Sequence, residues 1–330
     1  MIRVVRAAWK TGLIVICVIG TFSAAGMLLH PAKAQFGEDR RRGELNPISL
    51  PGGSVVEFHS FTSEAIGTSE AYSIFLPPSF SREPSRTYPV VYFLHGLNND
   101  HTSWTVERYG NLHNKVEEMI LAKKVPELIV VHPKGDNSFY CNYADGSKRY
   151  EDLITKDLVA HIESTYRAKK GRENRSIGGT SMGGYGALKI GMKIPEHYSA
   201  AVGHSPIIFL GRNPLDVPEE MKSARFYQFF VGILKPLFGE PIQQELWDAN
   251  NPLLLAKGGR LGTLKIHFDF GTGDRYIQSI RLDQGIRALD QALTEAGVAH
   301  SFKVYPGEPH GWALVSAHLS ESLPFLCQSF

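Results

Sequence analysis

Cysteine is scarce: three in 330 residues, at Cys17, Cys141 and Cys327. None sits in a C-x-x-C pair or near histidine at ligand spacing, which argues against a zinc site. A dominant charge sign is missing as well, since 35 Lys and Arg face 33 Asp and Glu for a formal net charge of +2. Such balance offers no electrostatic handle for nucleic acid or an anionic membrane surface. Internal repeats and low-complexity tracts are absent. Long hydrophobic runs are absent beyond the N-terminus, so no later segment is apolar enough to span a bilayer. What remains is an ordinary globular composition, 43% apolar and 21% charged, long enough for one large domain or two small ones.

The N-terminus differs from the rest. Arg3, Arg6 and Lys10 precede the apolar residues 11–29, and Ala32-Lys33-Ala34 follows as an A-x-A cleavage site before Gln35. This is the grammar of an export signal peptide over residues 1–34, and it predicts a periplasmic or secreted protein. An uncleaved anchor is the alternative, because 19 apolar residues approach a membrane-spanning length. Small residues in the second half of the run, and the A-x-A that follows, favour cleavage. Cys17 has no small residues before it, which argues against attachment of a lipid there. Cleavage removes Arg3, Arg6, Lys10, Lys33 and no acid, taking the net charge from +2 to −2. Cys141 and Cys327 then remain, either as one disulfide in an oxidising compartment or as two thiols. Residues 35–52, with Arg40-Arg41-Arg42 and scattered Gly and Pro, read as a flexible leader before a domain over 53–330.

Two strand-like runs open that domain, residues 54–61 and 70–76, and predict an antiparallel edge. Continuous apolar runs at 89–96 (PVVYFLHG) and 127–133 (ELIVVHP) suit strands buried on both faces of a parallel sheet. Helical spacing covers 112–124, 152–166, 182–194, 277–296 and 313–325. Further strands are expected at 175–178, 199–204, 264–270 and 300–305. Strand alternating with helix predicts one α/β domain, a mostly parallel central sheet with helices on both faces. Residues 207–251 interrupt the alternation with an insertion containing RFYQFFVGILKPLF. It reads as extra packing or as a lid or acyl pocket, because insertions after strands gather at the ligand-binding end of such sheets.

The stretch 174–191, NRSIGGTSMGGYGALKIG, concentrates glycine around Ser181 between a strand and a helix. Glycine costs entropy in regular structure, so this density needs a cause. Gly179-Thr180-Ser181-Met182-Gly183 is a G-x-S-x-G in strand–turn–helix context, the nucleophile elbow. The pattern alone arises by chance in a chain this long with a probability of roughly 0.2, so its context and partners carry the weight. A serine hydroxyl needs a base, and in this architecture the histidine follows the last strand, where PGEPHGW holds His310. His95 precedes the serine and His204 comes too early in chain order, so both read as structural or secondary. LKIHFDFGTGDRYI offers two acids, Asp269 within the strand and Asp274 in the loop beyond it. Loops at strand carboxyl ends form the site, so Asp274 is preferred and Asp269 kept in reserve. An oxyanion hole needs two backbone amides: Met182, after the serine, and Leu97, on the turn that Gly96 permits.

These residues resemble the putative-esterase family of α/β-hydrolases, which includes esterase D-like enzymes, feruloyl esterases and secreted mycolyltransferases. The resemblance covers about residues 70–325 and rests on YFLHGL with Trp104, on YADGSKRYEDLITKDLVAHIESTYR, GTSMGGYGAL, FGTGD and PHGW. It implies an α/β-hydrolase fold, a Ser181–His310–Asp274 triad, Leu97 and Met182 as oxyanion donors, and acyl-enzyme chemistry without metal or organic cofactor. The expected partner is a small-molecule or glycan ester, cleaved by water or passed to a sugar or lipid alcohol. A non-catalytic binding protein on the same fold is the alternative of another class. Trp104, Tyr109, Tyr140, Tyr143 and Trp312 lie in segments flanking the site; Trp104 and Trp312 are candidate substrate contacts, although aromatics there are more often packing. Glu151 and Asp152 begin a helix, where the N-terminal dipole is sufficient reason for carboxylates.

Overall fold

The apolar runs that suited a buried parallel sheet do become its centre. A computed structural model of the protein describes residues 45–216, 219–222 and 225–330. The segment read as a signal peptide, and the expected leader as far as residue 44, lie outside these described residues. In chain order the strands are β1 (Ile48–Ser49), β2 (Val55–Thr62), β3 (Ser69–Leu76), β4 (Val90–Leu94), β5 (Ile129–Pro133), β6 (Arg175–Thr180), β7 (Ala200–His204), β8 (Lys265–Gly271) and β9 (His300–Tyr305). They form one sheet in the order β1-β2-β3-β5-β4-β6-β7-β8-β9. β1, β2, β3 and β5 pair antiparallel in succession, and every pairing from β5–β4 to β8–β9 is parallel.

The helices are α1 (Leu112–Leu121), α2 (Tyr150–Asp152), α3 (Leu158–Thr165), α4 (Met182–Lys193), α5 (Glu219–Lys222), α6 (Arg225–Phe238), α7 (Gln244–Asp248), α8 (Pro252–Lys257), α9 (Tyr276–Ile280), α10 (Leu282–Glu295) and α11 (Trp312–Leu326). A π turn, Leu153–Asp157, joins α2 to α3. The helix expected over 277–296 divides into α9 and α10 at Arg281, which has a positive φ of 52°. Within α10, Gly285 packs directly on the backbone of Ile208, where a Cβ would lie 2.0 Å from the carbonyl oxygen.

Side chains alternate across the central strands. Val90, Tyr92 and Leu94 of β4 enter one core with α3, α4 and α10, while Val91 and Phe93 enter a second with α1 and α11. Burial on both faces is what makes these strands continuously apolar. The same division decides the cysteines. Cys141 and Cys327 are free and buried, Cys141 in the first core and Cys327 in the second. The sheet stands between the two cores, so the thiols cannot reach the few ångströms a disulfide requires.

β1 falls inside the stretch read as flexible leader. Two residues are too few for a periodic signal, and the order comes from tertiary contacts. Leu50 is buried, and the carboxylate of Glu117 on α1 accepts the amides of Gly52 and Ser54, both at 2.9 Å.

Candidate active site

Strand β6 ends at Thr180, and Ser181 turns the chain into α4 with φ 58° and ψ −118°. A positive φ is uncommon for a residue with a Cβ and persists only where the surroundings over-determine it. Here the Ser181 amide donates to the His204 carbonyl at 2.8 Å, and its carbonyl accepts from Tyr185 at 3.0 Å as α4 begins. The two flanking glycines are required by contact. A Cβ on Gly179 would lie 2.3 Å from the Gly183 oxygen, and one on Gly183 would lie 2.1 Å from the Leu94 oxygen. Strand, turn and helix are therefore in van der Waals contact along their backbones, which presents the hydroxyl beyond the end of β6. Met182 is the first residue of α4, so its amide has no intrahelical acceptor.

The turn after β4 closes on this serine. A Cβ on Gly96 would come within 3.3 Å of Ser181 Cβ and 3.8 Å of its Oγ. Hydrogen bonds from other elements brace the turn. Asn98 and Asn137 bond reciprocally, backbone amide to side-chain oxygen at 2.8 Å and side chain to side chain at 2.9 Å. Trp312 Nε1 donates to Asn99 Oδ1 at 2.6 Å, joining this turn to the loop that carries His310. No local pattern announced either bond; the asparagine pair in YFLHGLNND was the only available hint.

His310 and Asp274 come from the loops after β9 and β8. His310 Nδ1 lies 2.5 Å from Asp274 Oδ2, and Asp274 Oδ1 accepts the Tyr276 amide at 2.9 Å. The Tyr276 ring stands edge-on to the imidazole at 4.5 Å. His310 Nε2 is buried and has no hydrogen-bond partner among the described residues, so its bond to Ser181 Oγ is not formed in this structure. Catalytic hydrogen bonds of this kind are often long before substrate binds. Chemically, an imidazole paired with a carboxylate and a serine on a strained turn at a helix N-terminus are groups that can support attack on a carbonyl.

Asp269 goes elsewhere. It pairs across the sheet with His204 in the parallel register of β7 and β8, and the two side chains share one face. His204 Nδ1 lies 2.8 Å from Asp269 Oδ2, and His267, two residues earlier on β8, approaches the same oxygen at 3.4 Å. Burial pushes the Asp269 carboxyl up, but the two histidines outweigh it and hold it well below the usual carboxylate range. The reserve acid thus belongs to a buried cluster with His204 and His267.

Trp104 and Trp312, candidate substrate contacts for which packing is the commoner reading, turn their rings on protein neighbours. They are 2% and 7% exposed, lie 5.0 Å apart edge to face, and pack also on Phe93 and Tyr109 respectively. Tyr140 is wholly buried, its hydroxyl donating to the His95 carbonyl at 3.0 Å. Part of the insertion is likewise interior: Phe230, Phe238 and Trp247 form an aromatic cluster with Phe139 and Phe209, whereas Leu210 and Phe229 are exposed. Among the described residues, no group of three or more His, Cys, Asp and Glu is arranged to hold a metal ion. No helix among them is long and apolar enough to cross a membrane.

A mostly parallel sheet covered by helices on both faces, with a strained serine between its strand and helix, defines an α/β-hydrolase fold. The chain belongs to the family described as Putative esterase, whose profile matches residues 63–326. It is 28% identical over 265 residues to Esterase Rv1288 of Mycobacterium tuberculosis (strain ATCC 25618 / H37Rv), a match over 76% of this chain. The chain spans about half of that relative's length, 54%. It is also 24% identical over 200 residues to the Acetyl esterase of Caldicellulosiruptor saccharolyticus, covering 60% of this chain and 70% of that one. Among solved structures, a ferulic acid esterase superposes with a TM-score of 0.66 at 25% identity, covering 84% of this chain and 98% of its own. An S-formylglutathione hydrolase from Agrobacterium tumefaciens superposes at 0.65 with 21% identity over 86% and 99% of the two chains, a likeness of fold alone.

Proposed function

We propose that this chain is an exported serine esterase acting on carboxylic esters, with acylated carbohydrates or short acyl esters as the substrate class. The observation that carries the reading is the convergence on one sheet end of strained Ser181, the Gly96 turn and the 2.5 Å His310–Asp274 pair. His310 Nε2 takes the Ser181 proton as Oγ attacks the ester carbonyl. The negative charge that develops on the carbonyl oxygen is met by the Leu97 and Met182 amides, each donor of this kind contributing roughly 3 kcal/mol. His310 then returns the proton to the departing alcohol, and water releases the acid from Ser181 by the same route. Asp274 holds the imidazole in the tautomer with its proton on Nδ1 and stabilises the imidazolium. The Acetyl esterase and ferulic acid esterase named above support the substrate class.

An alkyl fluorophosphonate, which phosphonylates only activated serines, tests the mechanism. One label per chain is expected, on the peptide containing Ser181, and none in Ser181→Ala. Labelling that survives Ser181→Ala, or no labelling beside undiminished ester turnover, would remove Ser181 from the role. Rates on p-nitrophenyl acetate, butyrate and octanoate and on a feruloylated sugar then rank the acyl groups. Export rests on the basic, apolar and A-x-A order of residues 1–34. Terminal sequencing of the exported chain should begin at Gln35, whereas an intact Met1 would establish an anchor instead.

A further inference from the structure

His95 is buried between the Gly96 turn and the loop after β5, and its two ring nitrogens meet different kinds of partner. The Gly135 amide can only donate, and it lies 2.9 Å from Nε2. The Gly96 carbonyl can only accept, and it lies 2.8 Å from Nδ1. Both contacts are hydrogen bonds only if the ring is neutral with its proton on Nδ1. Burial supports that state by lowering the pKa of His95 to about 4. The Gly96 carbonyl and the Leu97 N–H belong to one planar trans peptide and point in opposite directions. Whatever holds the carbonyl therefore aims the amide. Besides His95, the carbonyl accepts the Asn99 amide at 3.2 Å, a bond within the same turn, so His95 is what ties it to the loop after β5. His95 is itself fastened, since Tyr140 Oη donates to its carbonyl at 3.0 Å.

We propose that His95 is a positioning residue for the oxyanion turn: by binding the Gly96 carbonyl through Nδ1–H, it fixes the peptide whose Leu97 amide faces the oxygen developing charge beside Ser181. This rests on the reading of Ser181 as nucleophile. It gives a role to a histidine whose place before the serine in the chain excludes it from serving as the base of this architecture.

The test compares His95→Leu, which removes the donor, with His95→Asn, whose side-chain amide can place an N–H close to the Nδ1 position. Steady-state kinetics on p-nitrophenyl acetate, inhibition by a trifluoromethyl ketone that binds as an oxyanion adduct, and thermal melting are measured on each. His95→Leu should lose roughly 10²–10³ in kcat, the effect of losing an oxyanion donor. KM should change by less than about threefold, and ketone affinity should fall with kcat. His95→Asn should recover at least about tenfold of the loss. Full kcat in His95→Leu overturns the proposal, as does an equal loss in both variants that tracks a lowered melting temperature. If His95→Leu does not fold, nitrogen-15 NMR of the unmodified protein decides. An unchanging Nδ1–H tautomer between pH 5 and 8 is expected, and an Nε2–H tautomer or a titration in that range overturns the proposal. Ser181→Ala separates the two readings. Turnover surviving there removes the nucleophile and this proposal with it, whereas loss there beside full turnover in His95→Leu removes the proposal alone.

Discussion

Asp274→Asn should lower kcat by roughly 10³–10⁴ while leaving the protein folded, because asparagine can donate to His310 Nδ1 and force the proton onto Nε2. The base would then present a proton, not a lone pair, to the Ser181 hydroxyl. The 2.5 Å contact makes Asp274 the group that selects the tautomer. Asp269→Asn should behave in the opposite way. Asp269 is buried against His204 and His267 on the β7–β8 face, so its loss leaves those rings without their carboxylate. Removing one partner of a buried pair costs about 3–5 kcal/mol. The variant should melt early, yet retain kcat per folded molecule within a few-fold. Kinetics on p-nitrophenyl acetate with circular dichroism melts of both variants make the comparison. Catalytic loss in Asp269→Asn with Asp274→Asn active would reverse the assignment.

Glu151→Gln should lower the melting temperature by roughly 10 °C, from a loss of about 3–5 kcal/mol in a domain of this size. Glu151 opens α2, where a dipole contribution of about 0.3–1 kcal/mol would be sufficient reason for a carboxylate. The structure gives it a larger task. Lys189 on α4 is 0% exposed, and its Nζ donates to Glu151 Oε2 at 2.6 Å and to the Tyr140 carbonyl at 2.5 Å. Lys193 approaches Glu151 Oε1 at 2.8 Å. Burial raises the Glu151 pKa, but the two lysines outweigh it and bring it to about 2. The folded pKa lies below the unfolded one, so the stabilisation is complete above about pH 4.5 and is lost as pH falls towards 2. In Glu151→Gln the Lys189 ammonium stays buried without its counter-charge. Adding Lys189→Met should restore part of the loss, since the orphan charge goes with it. A drop of less than about 3 °C in the single variant would match the dipole account and reject the buried pair.

These three acids mark where reading the chain stops. Asp274 could be preferred from its loop position alone, because active sites gather at strand carboxyl ends. Asp269 had no visible partner, since His204 lies 65 residues away and meets it only through the β7–β8 register. Lys189 lies 38 residues from Glu151 and sits in a helix whose spacing gives no warning of a buried charge. Trp312 and Asn99, 213 residues apart, show the same limit. Both tryptophans were candidate substrate contacts from their neighbourhood, and burial assigned them to packing.

The sequence by itself determined the alternation of strands and helices, the glycine-bounded turn at Ser181 and the loops that hold His310 and Asp274. Each depends on periodicity or on backbone sterics within a few residues, and such constraints act before any distant segment is in place. Only the tertiary structure decided that β5 lies between β3 and β4, that Cys141 and Cys327 occupy opposite faces, and which acid each histidine meets. Those outcomes depend on sheet order and register, which bring together groups that share no neighbourhood in the chain. A buried charge or ring nitrogen is then paired by whatever the fold sets opposite it, because leaving it unpaired costs several kcal/mol.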